Sequence, residues 1–329
     1  VHAVLELVLA IATGCAAPAD PRPAPFDLTY LPRATGSVIA ARPAELLKRG
    51  GAPDKAFTDT ARRSLAALFA LFDGDLKAAP VPALSDVDTI VTSALFTLGI
   101  ETNPDGTSAF NFVGMSSGVV RTAKPFDWTN CVKKWFPKAE AVKHAGRAYF
   151  RVPFGVGEAK GHLAFFVPDD RTLVFETDAD ELKALLGRLE KKLESPAPPG
   201  WDEVNRDLLA VCHDTAAAGW LKAPPVPKRA IDRALVTVAR ESTSLALGFS
   251  AGDDTRLHFV AHTKTADAAR SVSESLKLTL EDMADTDDIG PMGKLFGATK
   301  VKRDKTTVRA TGTLEGNLLL RLLDPTGGD

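Results

Sequence analysis

The sequence predicts an α+β fold. It reads as one or two antiparallel meander sheets built from repeated strand–turn–strand–helix units, with helices packed on one face. Two observations carry this. Strand-like runs are joined by tight turns such as Pro168-Asp169-Asp170-Arg171 and Asp304-Lys305, and short turns connect antiparallel neighbours. Amphipathic stretches with three-and-four apolar spacing then alternate with those hairpins. A doubly wound parallel sheet would instead need a long crossover between each pair of strands.

The elements follow in order. Ser37 to Pro43 reads as a strand stopped by its proline, which cannot donate to a ladder. Residues 54–73 place Phe57, Ala61, Leu65, Leu68, Phe69 and Phe72 on one helical face. Val87 to Ile100 and Ser108 to Val120 are strand-like around the turn Asn103-Pro104-Asp105-Gly106. Phe126 to Phe136 predicts a helix with Trp128, Val132, Trp135 and Phe136 inward. Ala148 to Val152, His162 to Val167 and Thr172 to Glu176 predict strands. Asp178 caps a helix running to residue 193 through Leu182, Leu185, Leu186, Leu189 and Leu193.

Ser195-Pro196-Ala197-Pro198-Pro199-Gly200 is the clearest interior break. Beyond it, Asp202 to Cys212 predicts a helix and Leu221 to Pro227 a Pro-rich connection. Thr243 to Ser250 and Arg256 to His262 form a hairpin. Asp267 to Met283 forms a long amphipathic helix through Ala269, Val272, Leu276 and Leu280. Ala298 to Arg303 and Thr306 to Leu314 form a second hairpin, and Leu318 to Leu323 a closing helix. The chain therefore divides into 1–25, a leader or anchor with a spacer; 26–194, a first α+β unit; and 201–324, a second. On this reading 243–314 repeats the hairpin–helix–hairpin order of 107–176.

Composition narrows the function. The 329 residues are 45% hydrophobic and 25% charged, ordinary for a folded globular chain and too apolar for long disorder. Forty Lys and Arg against 42 Asp and Glu give a net charge of −2, which argues against a protein built to neutralise nucleic-acid phosphates. Three cysteines, Cys15, Cys131 and Cys212, are too few and too scattered for a disulfide framework or a zinc knuckle.

Residues 4–12 form a short apolar run interrupted by Glu6, followed by Thr13-Gly14-Cys15-Ala16-Ala17. That order fits a signal-peptide hydrophobic region and its processing zone. Ala12-Thr13-Gly14-Cys15 resembles a lipobox, which makes Cys15 the candidate lipidation site; a segment of a spanning helix is the alternative. Pro21, Pro23 and Pro25 then make an extended spacer, as a tethered domain requires.

Motifs for chemistry are sparse. The serines of Gly114-Met115-Ser116-Ser117-Gly118 lie in a strand-like run rather than at the strand-to-helix turn of a nucleophile elbow. Gly155 to Gly161 is glycine-rich but opens no helix, so it is no phosphate loop. His258 and His262 fall on one face of a strand about 13 Å apart, too far for one ion. Neighbours in Cys212-His213-Asp214 point in different directions, and Cys212 reads as a small buried hydrophobe. The acidic stretch ending in Asp285, Asp287 and Asp288 lacks the pattern of a calcium loop. Lys300, Lys302, Arg303, Lys305 and Arg309 make a basic hairpin whose plainest role is to block edge-to-edge pairing. No catalytic residue, metal ligand or cofactor is expected. The runner-up is an exported hydrolase with a site assembled from distant residues such as His162, His213 and Asp214.

Phe26-Asp27-Leu28-Thr29-Tyr30-Leu31-Pro32, followed by Val38-Ile39-Ala40-Ala41-Arg42-Pro43-Ala44-Glu45-Leu46-Leu47, resembles the opening of exported domains of planctomycete-type bacteria. The match covers about 22 residues. Such domains often follow a single membrane-spanning segment, and some look joined to sensor proteins. The resemblance implies a place outside the cytoplasmic membrane, on a tether, and supplies no catalytic residue. The expected function is thus a membrane-tethered extracytoplasmic binding or sensor-type domain without catalysis. Its partner would be a protein or ligand of the cell envelope, with no nucleic acid, and it would meet the membrane through its N-terminus only.

Overall fold

A computed structural model describes residues 23–32, 36–50, 74–94, 97–102, 108–113, 116–156, 159–195, 197–215, 230–251, 254–285 and 291–315. The leader with Cys15, the helix expected over 54–73, the turn at 103–106, the connection 221–227, Asp287, Asp288 and the closing helix 318–323 lie outside the described residues.

The strands are β1 (Ser37–Ala41), β2 (Val87–Ala94), β3 (Thr97–Thr102), β4 (Ser108–Val113), β5 (Ser116–Thr122), β6 (Glu140–His144) and β7 (Arg147–Val156). They continue with β8 (Ala159–Asp169), β9 (Thr172–Glu176), β10 (Leu209–Asp214), β11 (Ser242–Ala251), β12 (Asp254–Thr263), β13 (Lys300–Asp304) and β14 (Thr307–Glu315). The α-helices are α1 (Pro43–Gly50), α2 (Trp128–Trp135), α3 (Ala179–Glu190), α4 (Trp201–Val204), α5 (Ala230–Glu241), α6 (Ala266–Ala284) and α7 (Pro291–Gly297). The fold is α+β and antiparallel, as expected. Twelve strands form one sheet in the order β13-β14-β12-β11-β10-β1-β2-β5-β9-β8-β7-β6, and β3 and β4 pair apart from it.

The centre of the sheet is β1 against β10, with Ser37 opposite His213 and Ala41 opposite Leu209. Outward from that pair the order is β1-β2-β5-β9-β8 on one side and β10-β11-β12-β14-β13 on the other. Each side runs central strand, helix, two strands, helix, then a hairpin whose last strand pairs with the third strand. Since β1 and β10 are antiparallel, an approximate two-fold axis normal to the sheet relates the sides. Two hairpins are extra in the first half: β3–β4, inserted between β2 and β5, and β6–β7 at the edge. The segment 107–176 does not itself hold the hairpin–helix–hairpin order expected to match 243–314, because β4 and β5 do not pair with each other. The strand beside β5 is β2 rather than the preceding β4.

Side chains alternate across the sheet, so register assigns each residue to a face. Val38, Ala40, Val91, Val119, Val174 and Phe166 share the front face with Leu182, Leu185 and Leu186 of α3 and Trp201 and Val204 of α4. Phe165 and Leu173, one residue away from Phe166 and Val174, point backward and join Trp128, Cys131, Val132 and Trp135 of α2. In the second half Ala261, Val308 and Ala310 face backward onto Val238 of α5 and Ala269, Val272, Leu276 and Leu280 of α6. Helices thus cover both faces, not the single face expected. The reason is visible in β9, whose Thr172, Leu173, Val174 and Glu176 are all buried. A strand buried on both sides needs a layer on each.

Local chemistry starts the helices where the sequence says. Asp127 accepts from Asn130 N at 3.1 Å, Asp178 from Asp180 N at 2.8 Å, and Thr265 from Ala268 N at 3.1 Å. These are side-chain caps on otherwise orphaned N–H groups. α3 ends at Glu190, before the expected residue 193, and Leu193 is 53% exposed. The helix expected over 202–212 is corrected. Only Trp201–Val204 is helical, and Leu209–Asp214 is the central strand β10. Its run Leu209-Ala210-Val211-Cys212 has no polar face because both sides are covered, and such a run does not distinguish strand from buried helix. Four elements received no reading from sequence: α1, α5, α7 and the charged edge strand β6.

Leu276→Ala should cost about 2–5 kcal/mol in urea denaturation, because it empties the α6–sheet core. Lys277→Ala, one residue along on an exposed position, should stay within about 0.5 kcal/mol. Equal effects would contradict the packing described.

Candidate functional site

The residues considered for a hydrolase do not meet. His162 lies on β8 and His213 on β10, five strands apart, or roughly 24 Å at about 4.8 Å per strand. They also point to opposite faces, His162 forward with Ala164 and His213 backward with Ser37. His213 Nδ1 is 2.5 Å from Ser37 Oγ across the central ladder. Burial holds its imidazole below the ordinary histidine range, against the opposing pull of Asp214. Asp214 and Cys212 face forward, away from it. The Cys212 thiol donates to Pro199 O at 3.1 Å, and burial, with Asp214, pushes it up to about 12. It is an inert core group. His258 and His262 share the front face of β12, as their spacing predicts. Among the described residues no three His, Cys, Asp or Glu side chains converge as a metal site.

The two-fold relation exposes a different feature. In the first half Ala164, Phe166 and Val174 lie on the front face beneath α3. At the equivalent positions the second half carries Lys300, Lys302 and Arg309, all exposed. β14 alternates strictly: Val308, Ala310 and Gly312 are buried toward α6 and α7, while Arg309, Thr311 and Thr313 are exposed in front. Arg256 of β12, opposite Thr313, continues the same surface. Among the described residues no helix lies over this part of the front face beyond α4.

An ion cluster marks the border of that open surface. Arg309 grips Glu203 of α4 with both guanidinium nitrogens, Nε to Oε2 and Nη2 to Oε1, each at 3.1 Å. His262 Nε2 lies 3.5 Å from Glu203 Oε1, and Thr307 Oγ1 lies 3.4 Å from His262 Nδ1. A two-pronged Arg–carboxylate pair fixes orientation as well as charge, so it pins α4 onto β12 and β14. Gly200 precedes α4 with φ of 86°, and a Cβ there would stand 3.4 Å from Ala246. Glycine suits both the left-handed turn and the close approach. The sequence did signal this surface, since the alternation in Thr307-Val308-Arg309-Ala310-Thr311-Gly312-Thr313 sorts polar from apolar. What it lacked was knowledge of which face stays open.

The first half buries its polar groups instead. Ser93, Ser117 and Glu176 form a front-face row on β2, β5 and β9. Ser93 Oγ and Ser117 Oγ are 2.5 Å apart. Glu176 is only 3% exposed, and its Oε1 has no hydrogen-bond partner. Burial, then repulsion from Glu181 and Asp178, pushes its carboxyl up to about 9 against the pull of Arg188. It is therefore a neutral acid at physiological pH. Its counterpart by the two-fold is Thr311, on the open face. One half thus buries neutral polar groups, while the other exposes positive ones. The displayed set is made of cations and hydroxyls.

No protein-family model and no curated protein matches the chain. Among solved structures, crystal form I of TP0453 aligns over 92% of this chain and 98% of its own, with 8% sequence identity and a TM-score of 0.40.

Glu176 sets a pH dependence whose sign is fixed. Folded, the carboxyl holds its proton up to about 9; unfolded, it ionises near 4.5, so unfolding releases a proton between those values. This contribution to stability is whole below the lower value. It falls by up to about 1.4 kcal/mol per pH unit across the window and levels above it. Glu176→Gln should flatten that slope while leaving stability at acid pH within about 1 kcal/mol. Urea midpoints near pH 5, 7 and 9 read the difference, and parallel curves for the two proteins would rule the assignment out.

Proposed function

We propose that the protein is a membrane-tethered extracytoplasmic binding or sensor-type domain without catalysis, and that it engages its partner through the open front face of β12, β14 and β13. The observation that carries this is the difference between equivalent positions. Where the first half has Ala164, Phe166 and Val174 beneath α3, the second has exposed Lys300, Lys302 and Arg309. A face closed in one copy and left open and charged in the other is suited to a partner rather than to a core. The tether in this reading is residues 1–25, an apolar run followed by a Pro-rich spacer. The resemblance of residues 26–47 to exported domains supports the same placement. Among the described residues no helix is long and apolar enough to cross a membrane.

The spacer ends against the fold. Arg42 Nη2 donates to Ala24 O, its guanidinium lies 3.9 Å from the centre of the Phe26 ring, and Phe26 N donates to Asn205 O at 3.1 Å. The clean cut therefore falls before Pro23. Expressed from its natural start, the protein should sediment with membranes, and removing residues 1–22 should release it in soluble, folded form. Cys15→Ser separates the two anchors: release would mean lipidation, and retention a spanning segment. Recovery of the uncut protein in the cytosol would sink the proposal.

A further inference from the structure

We propose that the front face of β13 and β14 binds the surface of an anionic lipid bilayer; this rests on the reading of that face as the binding surface. It adds a second membrane contact to the N-terminal one. Lys300 and Lys302 stand on the front of the edge strand, with Thr311 and Arg309 opposite them on β14. Arg256 extends the row pattern on β12, opposite Thr313. Arg256, Lys300 and Lys302 are exposed and make no ion pair among the described residues, whereas Arg309 shares its charge with Glu203. Lys305 at the hairpin turn adds a further cation, and the acids at front-facing positions of these strands stand at the two ends, Asp254 and Glu315 at one and Asp304 at the other. The result is a polar surface with free positive charge along one edge.

The composition of the face selects among anionic partners. Lysine ammonium groups on flexible stems are strongly hydrated point charges without the planar fork that reads a fixed carboxylate or phosphate geometry. They suit a surface of dispersed, mobile headgroups. The front-facing positions of β12, β13 and β14 carry no Phe, Tyr or Trp: Phe259 points backward into the α6 core, and the rings there are the half-buried imidazoles of His258 and His262. Single-stranded RNA and DNA are bound largely by stacking on exposed rings, so the pattern favours a bilayer over nucleic acid. The first half shows that the charge is not imposed by the scaffold, since Ala164 and Phe166 occupy the same places there.

The test uses the full chain and two vesicle preparations, phosphatidylcholine alone and phosphatidylcholine with about 30% phosphatidylglycerol. Each basic residue at such a surface contributes about 1 kcal/mol, or roughly fivefold in affinity. The Lys300→Ala/Lys302→Ala double variant should therefore bind the anionic vesicles about 30-fold more weakly, with an unchanged melting temperature. Raising salt from about 0.05 to 0.5 M should abolish the same increment. Lys134→Ala/Lys191→Ala, which removes two exposed cations elsewhere, should change binding less than about threefold. Equal, salt-insensitive binding to both vesicles would overturn the proposal and leave the N-terminal tether standing. Binding to neither would overturn it as well. Tighter binding of a single-stranded RNA than of the anionic vesicles would assign the face to nucleic acid. An anionic-lipid increment that survives removal of residues 1–22 would uphold the proposal even if the tether failed.

Discussion

The antiparallel ladder between β1 and β10 is the constraint on which the rest depends. It pairs Ser37–Ala41 with Leu209–His213, residues more than half the chain apart, and fuses two structurally similar halves into one sheet. The short strands are extended at both ends, Asp214 N donating to Gly36 O at 2.7 Å and Arg42 N to Leu208 O at 3.0 Å. Val38, Ala40, Ala210 and Cys212 are all 0% exposed, so the seam lies in the interior. The segments leading into the two strands also meet there, with the Phe26 and Trp201 rings 6.0 Å apart. Separating the halves would expose this seam and break its ladder together.

A sheet of this width has two ends to protect. β6 and β13 are each five residues long and mostly exposed, and they carry Glu140, Lys143 and His144 at one edge and Lys300, Lys302, Arg303 and Asp304 at the other. Short, charged edge strands discourage pairing with a second chain. The basic hairpin therefore has two compatible roles. Its strand ends the sheet, and its front-facing lysines present charge to a partner. Beside them on β14, Arg309 holds Glu203 through its guanidinium and so fixes α4.

Glu176 and Arg309 show how one topology holds different chemistry. Both sit on the front of the strand that joins the closing hairpin to its half-sheet. Under α3 the carboxyl of Glu176 loses its hydration, and the neutral form wins. On the open side Arg309 stays exposed and holds Glu203. Burial, rather than residue type alone, decides which groups can act as charges toward a ligand.

The sequence by itself determined the α+β class, the antiparallel hairpins and the helices of α2, α3 and α6, because those signals are local. Asp127, Asp178 and Thr265 cap, Val132, Leu182 and Leu276 repeat at helical spacing, and tight turns join the strands. It also determined that the basic residues of 300–309 alternate across a hairpin. Tertiary structure alone decided the rest. Leu209 to Cys212 reads as helix or strand until its position between β1 and β11 buries it on both faces. The helices divide between two faces because β8 and β9 are apolar on both, which becomes decisive only when the sheet is assembled. His162 and His213 fall on opposite faces and five strands apart through pairings that no local spacing records. The open front of β12, β14 and β13 is defined by comparison with its closed counterpart, and that comparison exists only once the two halves are joined.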